Sequence, residues 1–160
     1  MEKQQPQAPA AGRDTLVVHR FRHATDIQIR FNDVDSFGHV NNNAYFEYYD
    51  LGKERYLNEV LNSDFRQQEI VPVIANINAN FIRPIFHTDH IEVETAIVHV
   101  GNKSFTLVQQ AVNKDTGTVH CQCTTVMVCF DTATQTAREI PATFRKAIEE
   151  YEADNLKTES

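Results

Sequence analysis

The chain has 160 residues, 41% of them hydrophobic, including ten phenylalanines, which is enough material for one domain with its own core. Fifteen basic against 22 acidic residues give a formal charge of −7, which argues against a non-specific nucleic-acid binder. No apolar run approaches the roughly 18 residues that a membrane span needs.

Met1 to Gly12 are mostly Gln, Pro and Ala, lack the apolar stretch of a secretory signal, and read as a disordered tail. His23 to Phe31 (HATDIQIRF) is a strand candidate, because Ile27, Ile29 and Phe31 alternate with Gln28 and Arg30. Asp33 to His39 reads as irregular. From about Asn43 to Leu61 the period becomes helical. Tyr45, Tyr48, Tyr49, Gly52, Tyr56 and Val60 recur at three- and four-residue steps, with Glu47, Asp50, Lys53 and Glu54 on the wetter side. Gly52 costs such a helix about 1 kcal/mol against alanine, so it implies a close approach to a sheet or a ligand.

After a polar connector over Asn62 to Glu69 the period falls to two. Pro72 to Phe86, His90 to Val100, Lys103 to Val112 and Thr118 to Phe130 are the further strand candidates, the last three separated by Gly101-Asn102 and by the Asp115-to-Gly117 turn. Cys121, Cys123 and Cys129 share one strand parity, read as free thiols, and suit the cytoplasm. Pro141 to Glu152 reads as a short helix with proline in its first turn, followed by an acidic, frayed exit through Asp154 and Glu159. One helix covers a five-stranded antiparallel sheet only if the sheet curls around it, which is the α+β hot-dog arrangement. Its edge strands call for pairing between copies, so a homodimer or homotetramer is expected. The expected organisation is a tail over 1–15, the hot-dog domain over 16–140, and a helix with acidic tail over 141–160.

The chain carries no Gly-x-Ser-x-Gly, His-Glu-x-x-His, glycine-rich dinucleotide or Walker motif. His87, Asp89 and His90, or His19 with His23, lack liganding partners on one helix face, so neither metal nor cofactor is expected. The stronger signal is the junction Arg30 to Phe46 (RFNDVDSFGHVNNNAYF). A helix start there offers unpaired N–H groups that can hold a carbonyl oxygen as charge grows on it. Asp35, just upstream, can attack that carbonyl or draw a proton from water. Asp33 has the same parity and Asn41, Asn42 and Asn43 are all possible caps, so spacing leaves these choices open. Aspartate and asparagine also serve plain turns and caps. His39 reads as a base, a hydrogen-bond partner or a packed loop residue.

The stretch RFNDVDSFGHVNNN, continued by AYFEYYDLGKERYL and by Phe81-Ile-Arg-Pro84, resembles the hydroxybenzoyl-CoA thioesterase family of hot-dog proteins over roughly Asp26 to Phe130. The resemblance implies an acyl-CoA thioesterase in which Asp35 is the nucleophile or general base and the backbone N–H around Asn42 polarises the thioester carbonyl. Asp33 would match the less essential first acid, and His39 a substrate-side position that varies between branches. Tyr45, Phe46 and Tyr49 would line the acyl pocket, with one of them committed to the core. Arg83, with Arg66 and Lys103 as further candidates, would face the phosphate-rich carrier, coenzyme A or an acyl-carrier protein. Many relatives carry Glu-x-Ala-Arg where this chain has Asp50-Leu-Gly-Lys53, which bears on pocket contacts and helix packing. The alternatives are a non-hydrolytic hot-dog protein that binds acyl thioesters and, less favoured by the motif, a hydratase or dehydratase.

Overall fold

In the computed structural model, which describes residues 18–156, all the strands belong to one antiparallel sheet. The tail expected over 1–15, and Glu159 of the acidic exit, lie outside the described residues. The elements are β1 (His23–Ile27), α1 (Asn42–Leu61), β2 (Ile70–Phe81), β3 (Ile91–Val100), β4 (Ser104–Asn113), β5 (Val119–Asp131), β6 (Thr136–Ala137) and α2 (Ala142–Tyr151). Across the sheet they run β1-β3-β4-β5-β2, with β6 paired to β5. This is the expected hot-dog fold: a curled sheet of about five strands wraps α1, and a short helix follows.

The aromatic stripe of α1 makes the core. Tyr45, Tyr48 and Tyr49 pack with Ile85, Ile91, Val93, Cys121 and Cys123. Two turns on, Tyr56, Leu57 and Val60 pack with Ile97, Phe105, Leu107 and Met127, and α2 adds Phe144 and Ile148. Gly52 is the point of closest approach, because a Cβ there would lie 2.8 Å from Val93 Cγ1 and 3.1 Å from Gln109 Nε2. The glycine therefore serves contact with the sheet. Lys53, expected on the wetter side, is buried. Its Nζ is buried as well, without a hydrogen-bond partner among the described residues, and lies 3.2 Å from the exposed Asp50 carboxylate, so the charge is offset along the helix.

Strand ends depart from the alternation for reasons of partnership. β1 stops at Ile27 because its partner begins at Ile91, directly opposite. β2 tolerates Pro72 because it is an edge strand, bonded on one side to β5. It ends at Phe81, short of the expected Phe86, where the chain bends so that the N–H groups of Ile82 and Arg83 both donate to His120 O, at 2.9 and 3.0 Å. The two-residue β6 escaped a reading based on periodicity.

Candidate active site

The junction between β1 and α1 is organised by Asp33. This buried carboxylate accepts from Arg30 N–H at 2.9 Å and from the Tyr48 hydroxyl at 2.7 Å, and its backbone carbonyl accepts from Asn41 N–H at 2.7 Å. Burial alone would raise its pKa, but the bonds from the Arg30 N–H, the Tyr48 hydroxyl and the Arg30 guanidinium outweigh it and hold the carboxyl below its ordinary value. The Asp33 carboxylate thus faces inward, and its role is to join the loop to α1.

Asp35 faces the other way and is exposed. Its N–H donates to His39 O at 2.8 Å, while Gly38 turns the chain at φ +80° and donates to Asp35 O at 3.0 Å. The N–H groups of Phe37 and His39 donate to Asp35 Oδ1 at 2.9 and 3.1 Å. One carboxylate oxygen is thereby fixed, and Oδ2 has no hydrogen bond among the described residues.

The helix start resolves the choice among the three asparagines. Asn41 is the N-cap: its side chain accepts from Asn43 N–H at 3.1 Å, and its carbonyl accepts from Ala44 N–H at 2.9 Å. Asn42 is the first helical residue, and among the described residues nothing accepts from its N–H. Asp35 and Asn42 line one cavity of about 410 Å³ with His39, Tyr45, Phe81, Ile82 and Arg83. A carboxylate residue and the first residue of a helix therefore line one concave site.

The remaining expected residues divide. His39 lines the cavity with its ring edge-to-face on Phe86, centroids 5.0 Å apart. Tyr45 lines it too; burial pushes its phenol up to about 12, so it stays a neutral, largely apolar wall. Phe46 contributes indirectly, edge-to-face on Phe81 at 6.4 Å. Tyr49 is fully buried beside Cys121 and is the aromatic committed to the core. Arg83 lines the cavity and has no carboxylate partner among the described residues. Arg66 instead pairs with Glu54 and Asp64 away from the cavity, and Lys103 does not line it. Asp89 accepts from Phe86 N–H and His90 pairs with Asp115, and among the described residues no group of three or more His, Cys, Asp or Glu could hold a metal ion. Sequence reasoning missed Ile82 as wall and His120 behind it. Nothing in the sequence pattern of Pro72 to Phe86 announces the bend after Phe81.

Residues 29–148 match the model of the thioesterase-like superfamily. The long-chain acyl-CoA thioesterase FadM of Escherichia coli is 30% identical over 130 residues, covering 79% of this chain and 96% of that protein. Among solved structures, the probable thioesterase YbaW of E. coli superposes with a TM-score of 0.70 at 28% identity, covering 81% of this chain and 98% of its own. A Thermus thermophilus thioesterase solved with coenzyme A and zinc gives 0.72 at 23% identity, with coverages of 81% and 98%.

Proposed function

The chain belongs to the thioesterase-like superfamily, and we propose that it hydrolyses an acyl-CoA thioester to a free acid and coenzyme A. The motif from Arg30 to Asn43 supports the hydroxybenzoyl-CoA thioesterase branch, and the name of the E. coli relative supports coenzyme A as carrier. The observation that carries the reading is that Asp35 and Asn42 line one cavity, with Asp35 Oδ2 and Asn42 N–H both without a hydrogen bond among the described residues.

In this reading the thioester carbonyl oxygen accepts from Asn42 N–H at the positive end of α1. Asp35 Oδ2 then either attacks the carbonyl carbon or takes a proton from an attacking water. Direct attack gives an acyl-aspartyl anhydride as the C–S bond breaks and coenzyme A leaves as thiolate, and water then releases the acid. General-base attack reaches the same products in one addition–elimination. Tyr45, Phe81 and Ile82, with Phe46 behind Phe81, offer the acyl chain an apolar wall, and Arg83 offers the carrier a cation. The unpartnered side of β2, twelve residues long, supports a homodimer paired strand to strand, and a homotetramer would be two such pairs. The buried free thiols Cys121, Cys123 and Cys129 support a reducing compartment, the cytoplasm.

One observation favours a second reading. Asp35 Oδ1 already serves two backbone N–H groups, a sufficient structural reason for an aspartate in a protein that only binds acyl thioesters. Thiol release over short, long and aromatic acyl-CoAs, with Asp35→Asn alongside, separates the two. The asparagine keeps an acceptor for Phe37 and His39, so the fold should survive while kcat falls by more than about tenfold. Undiminished turnover removes Asp35 from the mechanism, and no release across the panel leaves the binding protein.

A further inference from the structure

His120 stands behind the cavity wall opposite the catalytic loop. It is the extra residue of a β-bulge: Ala111 pairs with Cys121 and Val112 with Val119, which leaves His120 without an opposite number on β4. Freed from that ladder, its carbonyl turns to the bend after β2 and accepts from both Ile82 N–H and Arg83 N–H. Its ring reaches the same bend, with Nδ1 3.1 Å from Pro84 O. A carbonyl only accepts, so Nδ1 carries a proton and donates. Nε2 is buried and has no partner among the described residues. One residue, itself 7% exposed, thus holds three consecutive wall residues by main chain and side chain together.

We propose that His120 is a positioning residue that fixes the Ile82–Arg83–Pro84 wall, and through it the placement of Arg83 against the carrier portion of the substrate. The inference deepens the thioesterase reading and rests on it for its kinetic consequence. The catalytic half also has anchors of its own and joins the chain beyond the wall at Val40 N–H to Ile85 O, 2.8 Å. Asp35 is held by the backbone of Phe37 and His39, and the helix start by Asn41 and Asp33, with no contribution from His120. Loosening the wall should therefore weaken binding and spare the chemical step.

The test compares His120→Gln with His120→Asn in the full chain. Asparagine places its amide nitrogen where Nδ1 sits and can still donate to Pro84 O, whereas glutamine reaches toward the Nε2 position, which makes no bond. His120→Gln is expected to raise KM for acyl-CoA about five- to tenfold, the worth of one buried hydrogen bond, with kcat within about threefold. His120→Asn should restore KM, and hydrogen exchange at the Ile82 and Arg83 amides should quicken in the glutamine variant alone. A purely structural role would lower the melting temperature of both variants and leave KM of the folded enzyme unchanged; that result overturns the proposal. So does undisturbed exchange at Ile82 and Arg83 in a folded His120→Gln protein. If the wild type releases no thiol, the thioesterase reading fails, and amide exchange still decides whether His120 holds the wall.

Discussion

The helix-end donor can be removed with little disturbance to the helix, because Asn42 occupies the one position where proline suits an α-helix. It is the first residue of α1, where an N–H has no intrahelical acceptor and the fixed φ of proline matches the helix. Asn41 before it is already extended, at φ −63° and ψ 140°, the conformation that a following proline imposes. Asn42→Pro should therefore fold, with stability within about 1 kcal/mol of the wild type. It loses the single N–H assigned to the developing oxyanion. Losing one such donor elsewhere costs about 2.7–4 kcal/mol of transition-state stabilisation, or about 100- to 1000-fold in kcat. Asn42→Ala keeps the N–H and loses only an exposed amide, so it should retain kcat within about threefold and serves as the control. Steady-state thiol release on the best substrate of the panel, with thermal unfolding of each variant, is the assay. A folded Asn42→Pro enzyme with kcat within threefold of wild type would refute the assignment of the oxyanion to this donor.

Asp33→Asn should cost about 2 kcal/mol at pH 7. The buried bonds from Arg30 N–H and Tyr48 lose their charge assistance, while the exposed Arg30 guanidinium adds little. Since the folded carboxyl lies below its ordinary value of 3.8, its contribution is present above that pH and is lost as pH falls through the folded value. Urea unfolding should thus show a constant gap between wild type and variant from pH 7 to about 5, closing below about 4; a gap that never narrows would place the stabilisation elsewhere. Gly52→Ala gains about 1 kcal/mol of helix propensity but drives a methyl to within 2.8 Å of Val93, a stiff β-branched neighbour. A net loss of about 1–2 kcal/mol in the same experiment is expected, and a more stable variant would mean that α1 lifts freely from the sheet.

The two aspartates show what the sequence could and could not carry. Alternation left them equivalent, since Asp33 and Asp35 share parity on a continued strand. The chain abandons the strand at Ile27 and makes a 3-10 turn over Phe31–Asp33, so parity no longer applies. Asp33 is drawn inward by Tyr48, fifteen residues on and in the second turn of α1, and Asp35 is left at the surface. The helix stripe was legible because six residues repeat the same demand for burial, but Lys53 was not, because a long stem can hide while its charge stays paired. Gly52 was legible as an anomaly before its cause was visible. The His120 bulge had no such signal, because an extra residue in a strand changes neither composition nor turn chemistry.

The anchoring of the site carries a consequence for its kinetics. Three separate devices hold it: the backbone turn around Asp35, the Asp33–Tyr48–Asn41 tie at the start of α1, and His120 behind the Ile82–Pro84 wall. The first two position the atoms assigned to bond making, and the third positions a surface assigned to binding. No hydrogen bond among the described residues links His120 directly to the Asp35 turn; the two sides meet just beyond the wall, where Val40 N–H donates to Ile85 O at 2.8 Å and His39 bridges Phe86. Substitutions at Asp35 and Asn42 should then appear in kcat, and those at Arg83 and His120 in KM. A double variant, Asn42→Pro with His120→Gln, should show losses that add in free energy, because neither substitution removes the Val40–Ile85 joint between the two sides. Losses that fail to add would show that the wall and the helix end move as one unit, and that the site closes on its substrate rather than receiving it preformed.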